Sequence, residues 1–180
     1  MGWLKKLRAA EDEFVIDNSR AHYGDSPEEW QRWATENGWT YQAEAPELVG
    51  RYRPAYTQGS EVYANYMTKV LHDMLVSAFE HWDHSHDGHN QSSIGSMRSF
   101  VVVQLPGLPP DAFRANGPER EFRKLGGSIP SGCDLELQGR DLLCHHQGKR
   151  DGERLAGNAE LLTGQIAFMP PEFWTPAAGT

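Results

Sequence analysis

The run Phe100-Val101-Val102-Val103, inside the segment Met97–Leu105, constrains this chain more than any other. Three consecutive β-branched residues beside an aromatic lose rotamer freedom in a helix and pack well on a pleated surface. A run of that length and composition suits a buried central strand. Pro106-Gly107-Leu108-Pro109-Pro110 stops it, because proline cannot donate to a ladder.

The elements around this strand carry local signals of their own. Ser26 stands as N-cap, Pro27 at the first helical position and Glu29 three residues after the cap, so a helix begins there and closes at Gly38 with Trp30 and Trp33 toward the core. Trp39-Thr40-Tyr41-Gln42 is a short β-type run, Pro46–Gly50 a single helical turn, and Arg51–Tyr56 continues extended. Cys133–Leu137 and Asp141–Gln147 flank Gln138-Gly139-Arg140 as a hairpin, and Asp151–Leu162 reads as a helix ending near Gly164. Between Val62 and Trp82 two patterns compete. Apolar pairs from Val62/Tyr63 to Ala78/Phe79 recur near helical spacing, while two alternating strands about a His72-Asp73 turn fit nearly as well. Periodicity alone leans to the helix. Residues 83–96 read as a polar loop.

At 180 residues the chain is long enough to bury a core without staples, so residues 21–180 are expected as one α+β domain, preceded by a helix or arm over residues 1–20. That first segment sets Trp3, Leu4, Leu7, Phe14 and Val15 among charged residues. The 17 Lys and Arg against 25 Asp and Glu leave a net charge of −8, which excludes a phosphate-tracking surface and with it nucleic acid. Lys5, Lys6 and Arg8 are too few to hold a membrane surface, and no apolar stretch reaches the roughly 18–20 residues a spanning helix needs. No h-region follows the N-terminal lysines, so a cytoplasmic protein without membrane insertion is expected. Cys133 and Cys144 lack CxxC spacing and are expected as free thiols.

The helix ending in Asn37-Gly38-Trp39-Thr40-Tyr41, then Pro46-Glu47-Leu48-Val49-Gly50-Arg51-Tyr52, Ala78-Phe79-Glu80, Phe100–Pro106, Asp134-Leu135-Glu136-Leu137 and Leu142-Leu143-Cys144 form one series. Across residues 30–174 that series resembles an uncharacterised family of small cytosolic α+β proteins from high-GC Gram-positive bacteria, with no assigned activity. The resemblance implies an architecture and no chemistry. It makes Val62–Leu71 and Met74–Trp82 paired strands feeding the Phe100 strand. The expected fold is then α+β: N-terminal helices, a central antiparallel sheet of about five to seven strands, and a C-terminal helix packed on it.

Chemistry-bearing residues gather at one place, Glu80–His89, with His81, Asp83, His84, His86, Asp87 and His89. Imidazole and carboxylate ligate Zn²⁺ and related transition metals, so His81, His84, His86 and His89 make a candidate metal set. The ordinary reading is a solvated hairpin loop, since Gly88-His89-Asn90-Gln91-Ser92-Ser93 supplies nothing to lock ligands. His145 and His146 are strand neighbours facing opposite ways, one expected exposed and one half-buried. Cys144 beside His145 diverges likewise, and Asp134 with Glu136 reads as a surface pair. No GxSxG, HExxH, GxGxxG or P-loop pattern occurs, so no catalytic residue is named. Trp3, Phe173 and Trp174 are candidate partner-binding anchors, with a lid over the sheet as the ordinary reading of the tail. A ligand pocket lined by Trp39, Tyr41, Tyr66 and Phe79 is a further possibility. The leading expectation is a non-enzymatic protein-binding or scaffold protein, with a protein partner or homo-oligomer and no cofactor. The alternative is a metal-binding protein or metal-dependent hydrolase using the His81–His89 cluster.

Overall fold

The computed structural model describes residues 26–52, 60–86 and 92–175. Helix α1 (Pro27–Glu36) starts on a complete capping box: the Ser26 hydroxyl accepts from the Glu29 amide, and the Glu29 carboxylate accepts from the Ser26 amide at 2.7 Å. Trp30 and Ala34 are buried, and Gly38 at φ 72° turns the chain into β1 (Thr40–Glu44). A 3₁₀ turn, Pro46–Leu48, follows. Three long strands come next, β2 (Ser60–Leu71), β3 (Met74–His86) and β4 (Ser92–Gln104). Two short helices, α2 (Asp111–Asn116) and α3 (Pro118–Lys124), lead to β5 (Asp134–Gln138) and β6 (Asp141–Gln147). Helix α4 (Gly152–Ala167) and a last 3₁₀ turn, Pro171–Phe173, complete the order.

The six strands form one antiparallel sheet in the order β1-β2-β3-β4-β6-β5, so the fold is α+β and the Phe100–Val103 run lies inside it. Residues 62–82 are the hairpin rather than the helix. His72 and Asp73 both take positive φ, 49° and 63°, the conformation of a type I′ loop whose twist matches its flanking strands. The helix-like doublets have a physical origin. Both faces of the sheet are covered, so neighbouring residues are apolar in pairs, and a bulge between Ala64 and Met67, with Asn65 at φ 51°, breaks the strict alternation.

On one face α1 and α4 bury Met67, Val76, Ala78, Val101, Val103 and Leu142. Gly152 lets α4 start close to α1, because a Cβ there would stand 2.6 Å from the Trp33 ring. On the other face Leu48 and Tyr52 cover Tyr63, Phe79, Phe100 and Leu143. Phe79 stacks on Tyr52 at 5.8 Å and on Phe100 at 5.2 Å between centroids, so an aromatic ladder runs across three adjacent layers of chain.

Two expectations are corrected by the structure. The polar segment 83–96 is not all loop: β3 runs to His86 and β4 starts at Ser92, with Asp83 opposite Ser96 and His84 opposite Ile94 across a register shift. Backbone pairing with β2 as far as His84, and with β4 as far as His86, continues the ladder whatever the polarity of the residues. Helix α4 passes through Gly164 to Ala167, because Ile166 is buried and that burial outweighs the cost of about 1 kcal/mol for an internal glycine. Helices α2 and α3 were not expected at all. The segment over residues 1–20, and residues 53–56 of the expected extended run, lie outside the described residues. Among the described residues no helix is long and apolar enough to cross a membrane.

Candidate functional site

Of the candidate metal set only the His81 side chain is described. His81 sits in the middle of β3, wholly buried, with its ring 4.9 Å from that of Tyr63 and edge-on to Phe100 at 5.9 Å. It is therefore part of the aromatic layer and not of a solvated loop, which corrects the reading of Glu80–His89 as one loop. Glu80 and Trp82 beside it are buried too. His84 pairs with Ser60 and Ile94, and His86 with Ser92, farther along the strand, while His89 lies outside the described residues. Among the described residues no group of three or more His, Cys, Asp or Glu side chains is placed to hold a metal ion.

His145 and His146 face opposite sides of β6, but His145 is buried and His146 half-buried, so neither is the exposed member expected. The outer strand β5 and the aromatic layer shield His145. Arg98 Nη1 donates to His145 Nδ1 at 3.1 Å, which leaves the imidazole neutral with its proton on Nε2. Burial and the Arg98 charge both hold its protonation below the ordinary histidine range. Cys144 points into the helix-side core, away from His145. The four aromatics of the supposed pocket are divided: Trp39 and Tyr41 pack with the helix-side core, Tyr66 and Phe79 on the opposite face. A sheet lies between them.

Phe173 and Trp174 are half-buried against the helix-side core. Phe173 meets Phe113 edge-on at 5.6 Å, and Thr175 pairs with Leu108 through two backbone hydrogen bonds of 2.9 and 3.0 Å. The tail thus closes over its own chain. Trp3, the other aromatic anchor, lies outside the described residues.

The sheet has two edge strands, β1 and β5, and it is the β5 edge that borders a groove. β5 is the outermost strand beyond β6, and between it and the α2–α3 connection runs a groove of about 560 Å³. Phe113 and Leu135, both buried, form its floor with Leu137 and Pro118, while the exposed Arg114 and the half-exposed Glu136 stand at its rim. The β5–β6 loop has two residues, with Gly139 at φ 63° in the first position, the arrangement of a II′ turn. In such a hairpin the residues flanking the loop, Gln138 and Asp141, form the first hydrogen-bonded pair, and pairs alternate from there. Leu135 and Leu137 therefore turn their amides and carbonyls outward to the groove. Among the described residues no turn, loop or cap hydrogen bond takes either amide as donor.

This site is not legible in the sequence because its far wall comes from α2 and α3. Asp111 after Pro109-Pro110, and Pro118 after Gly117, are starts of helices too short to show a periodic face. Comparison of the chain with protein-family models, with curated proteins and with solved structures returns no match.

Proposed function

We propose that this is a non-enzymatic binding protein whose β5 edge takes an extended segment of another protein as a seventh strand. The observation that carries the reading is the outward backbone of Leu135 and Leu137 beside a groove about the size of a ligand pocket. An unpaired edge costs nothing while water solvates it, and it offers two donors and two acceptors to an incoming strand.

The side chains specify that strand. β5 reads Asp134-Leu135-Glu136-Leu137-Gln138, acidic and apolar in alternation. Opposite-charge cross-strand pairs stabilise by roughly 0.2–1 kcal/mol each, and like charges directly opposite destabilise. The matching partner alternates apolar residues with Lys or Arg. A second copy of this chain is disfavoured, since its own β5 would bring Asp and Glu against Asp and Glu, and each copy carries a net charge of −8. The alternative reading, metal binding through His81, His84, His86 and His89, has His81 enclosed by Tyr63 and Phe100 as its weakest member.

Fluorescence anisotropy with two labelled peptides of equal length tests the proposal, one alternating Val with Lys and one alternating Val with Glu. The Val/Lys peptide is expected to bind at least tenfold tighter, and methylation of its alternate backbone amides to abolish the difference. Equal binding of both peptides, or a chain that is dimeric in sedimentation at micromolar concentration, overturns it.

A further inference from the structure

Cys133 and Cys144 share one face of the β5–β6 hairpin. Leu135 faces Cys144 across the ladder, and Cys133 stands two residues before Leu135, so the two cysteines are diagonal neighbours. Both join the helix-side core: Cys144 is buried in it and Cys133 packs half-buried against it. Their freedom differs. β6 holds Cys144 between β4 and β5, whereas Cys133 precedes β5, closes a turn through its amide to the Pro130 carbonyl at 3.1 Å, and follows Gly132 at φ 70°.

The surroundings divide the two sulfurs chemically. The neighbouring Cys144 thiol favours the Cys133 thiolate, Arg150 adds positive charge, and Asn158 Nδ2 donates to Cys133 Sγ at 3.6 Å. Against the cost of partial burial these bring Cys133 down to about 7. The same thiol pair and deeper burial push Cys144 far up, so it stays protonated. An attacking thiol works best with a pKa near the ambient pH, and only the thiolate attacks.

We propose that Cys133 and Cys144 are a thiol–disulfide couple, Cys133 attacking a low-molecular-weight disulfide and Cys144 resolving the adduct. The Cys133 thiolate attacks one sulfur of the disulfide RSSR; that S–S bond breaks, and RS⁻ leaves and takes up a proton. The Cys144 sulfur then attacks Cys133 in the mixed disulfide, and its proton passes to the second RS⁻ as that group leaves. Two protein thiols are oxidised to one disulfide while RSSR is reduced to two RSH. Diagonal neighbours stand about 7–8 Å apart at Cα, and a disulfide spans no more than about 7 Å, so closure draws the Pro130–Cys133 turn inward. A bond made under that strain is readily reduced, which suits a reversible modification rather than a structural bridge. The couple holds whether or not β5 accepts a strand.

The experiment incubates the reduced full chain with excess oxidised glutathione near neutral pH and follows its intact mass. The wild type is expected to end two hydrogens lighter with no adduct, Cys144→Ser to stop at one glutathione adduct, and Cys133→Ser to remain unmodified; dithiothreitol restores the starting mass. Because a substitution at buried Cys144 can unfold the chain, iodoacetamide labelling of the wild type is the second readout, with Cys133 expected to label at least tenfold faster than Cys144. A wild type that keeps both thiols or stops at the adduct, a Cys133→Ser chain modified as fast as the wild type, or equal labelling of the two cysteines overturns the proposal.

Discussion

His145 shows how one side chain makes the stability of this fold depend on pH. Burial first, and the Arg98 guanidinium second, lower its pKa from 6.5 against the opposing pull of Asp134 and Glu136. In the unfolded chain the imidazole returns to about 6.5. Between the two values the unfolded state binds a proton that the native state does not, so stability falls as pH drops below about 6.5 and levels off only beneath the native value. His146 acts in the same direction through burial and the charges of Arg150 and Arg154. Urea denaturation across this window is expected to show a falling midpoint, with a shallower fall in His145→Gln; identical slopes for the two proteins would remove His145 as a cause. The role of His81 was the least legible from residues alone. A histidine beside His84, His86 and His89 looks like part of a polar cluster, and only its register against Tyr63 and Arg98 puts it in the aromatic layer.

At the scale of elements, the β2–β3 hairpin turns on two non-glycine residues with positive φ, His72 and Asp73. A left-handed conformation costs a non-glycine residue about 1 kcal/mol or more, and glycine adopts it freely. Asp73→Gly is therefore expected to raise stability by about 0.5–1 kcal/mol, read as a higher urea midpoint at unchanged slope. A lowered midpoint would mean that the Asp73 side chain supports the turn in a way the geometry does not show. Elements whose ends are marked by local chemistry were legible in advance: the Ser26–Glu29 capping box, the glycine of the β5–β6 turn, the proline stop after β4. The hairpin at 62–82 was not, since periodicity favoured a helix and only the family resemblance pointed to strands. The bulge at Asn65 and the apolar cover on both faces mask the period of two that a half-buried strand would have shown.

For the molecule as a whole, the class of the fold followed from one buried strand and its neighbours, but the candidate site did not. A groove between β5 and the α2–α3 connection exists only once residues some twenty positions apart are folded together, and no composition or spacing records it. Strand addition requires the backbone of β5 to be open in the free protein and paired in the complex. Backbone hydrogen exchange of Leu135 and Leu137, with and without the Val/Lys peptide, tests it most directly. Both amides are expected to exchange fast in the free protein and at least tenfold more slowly with the peptide bound, while Glu136, which bonds to β6, changes little. Amides of Leu135 and Leu137 already protected in the free protein, or unchanged by saturating peptide, would rule out strand addition at β5.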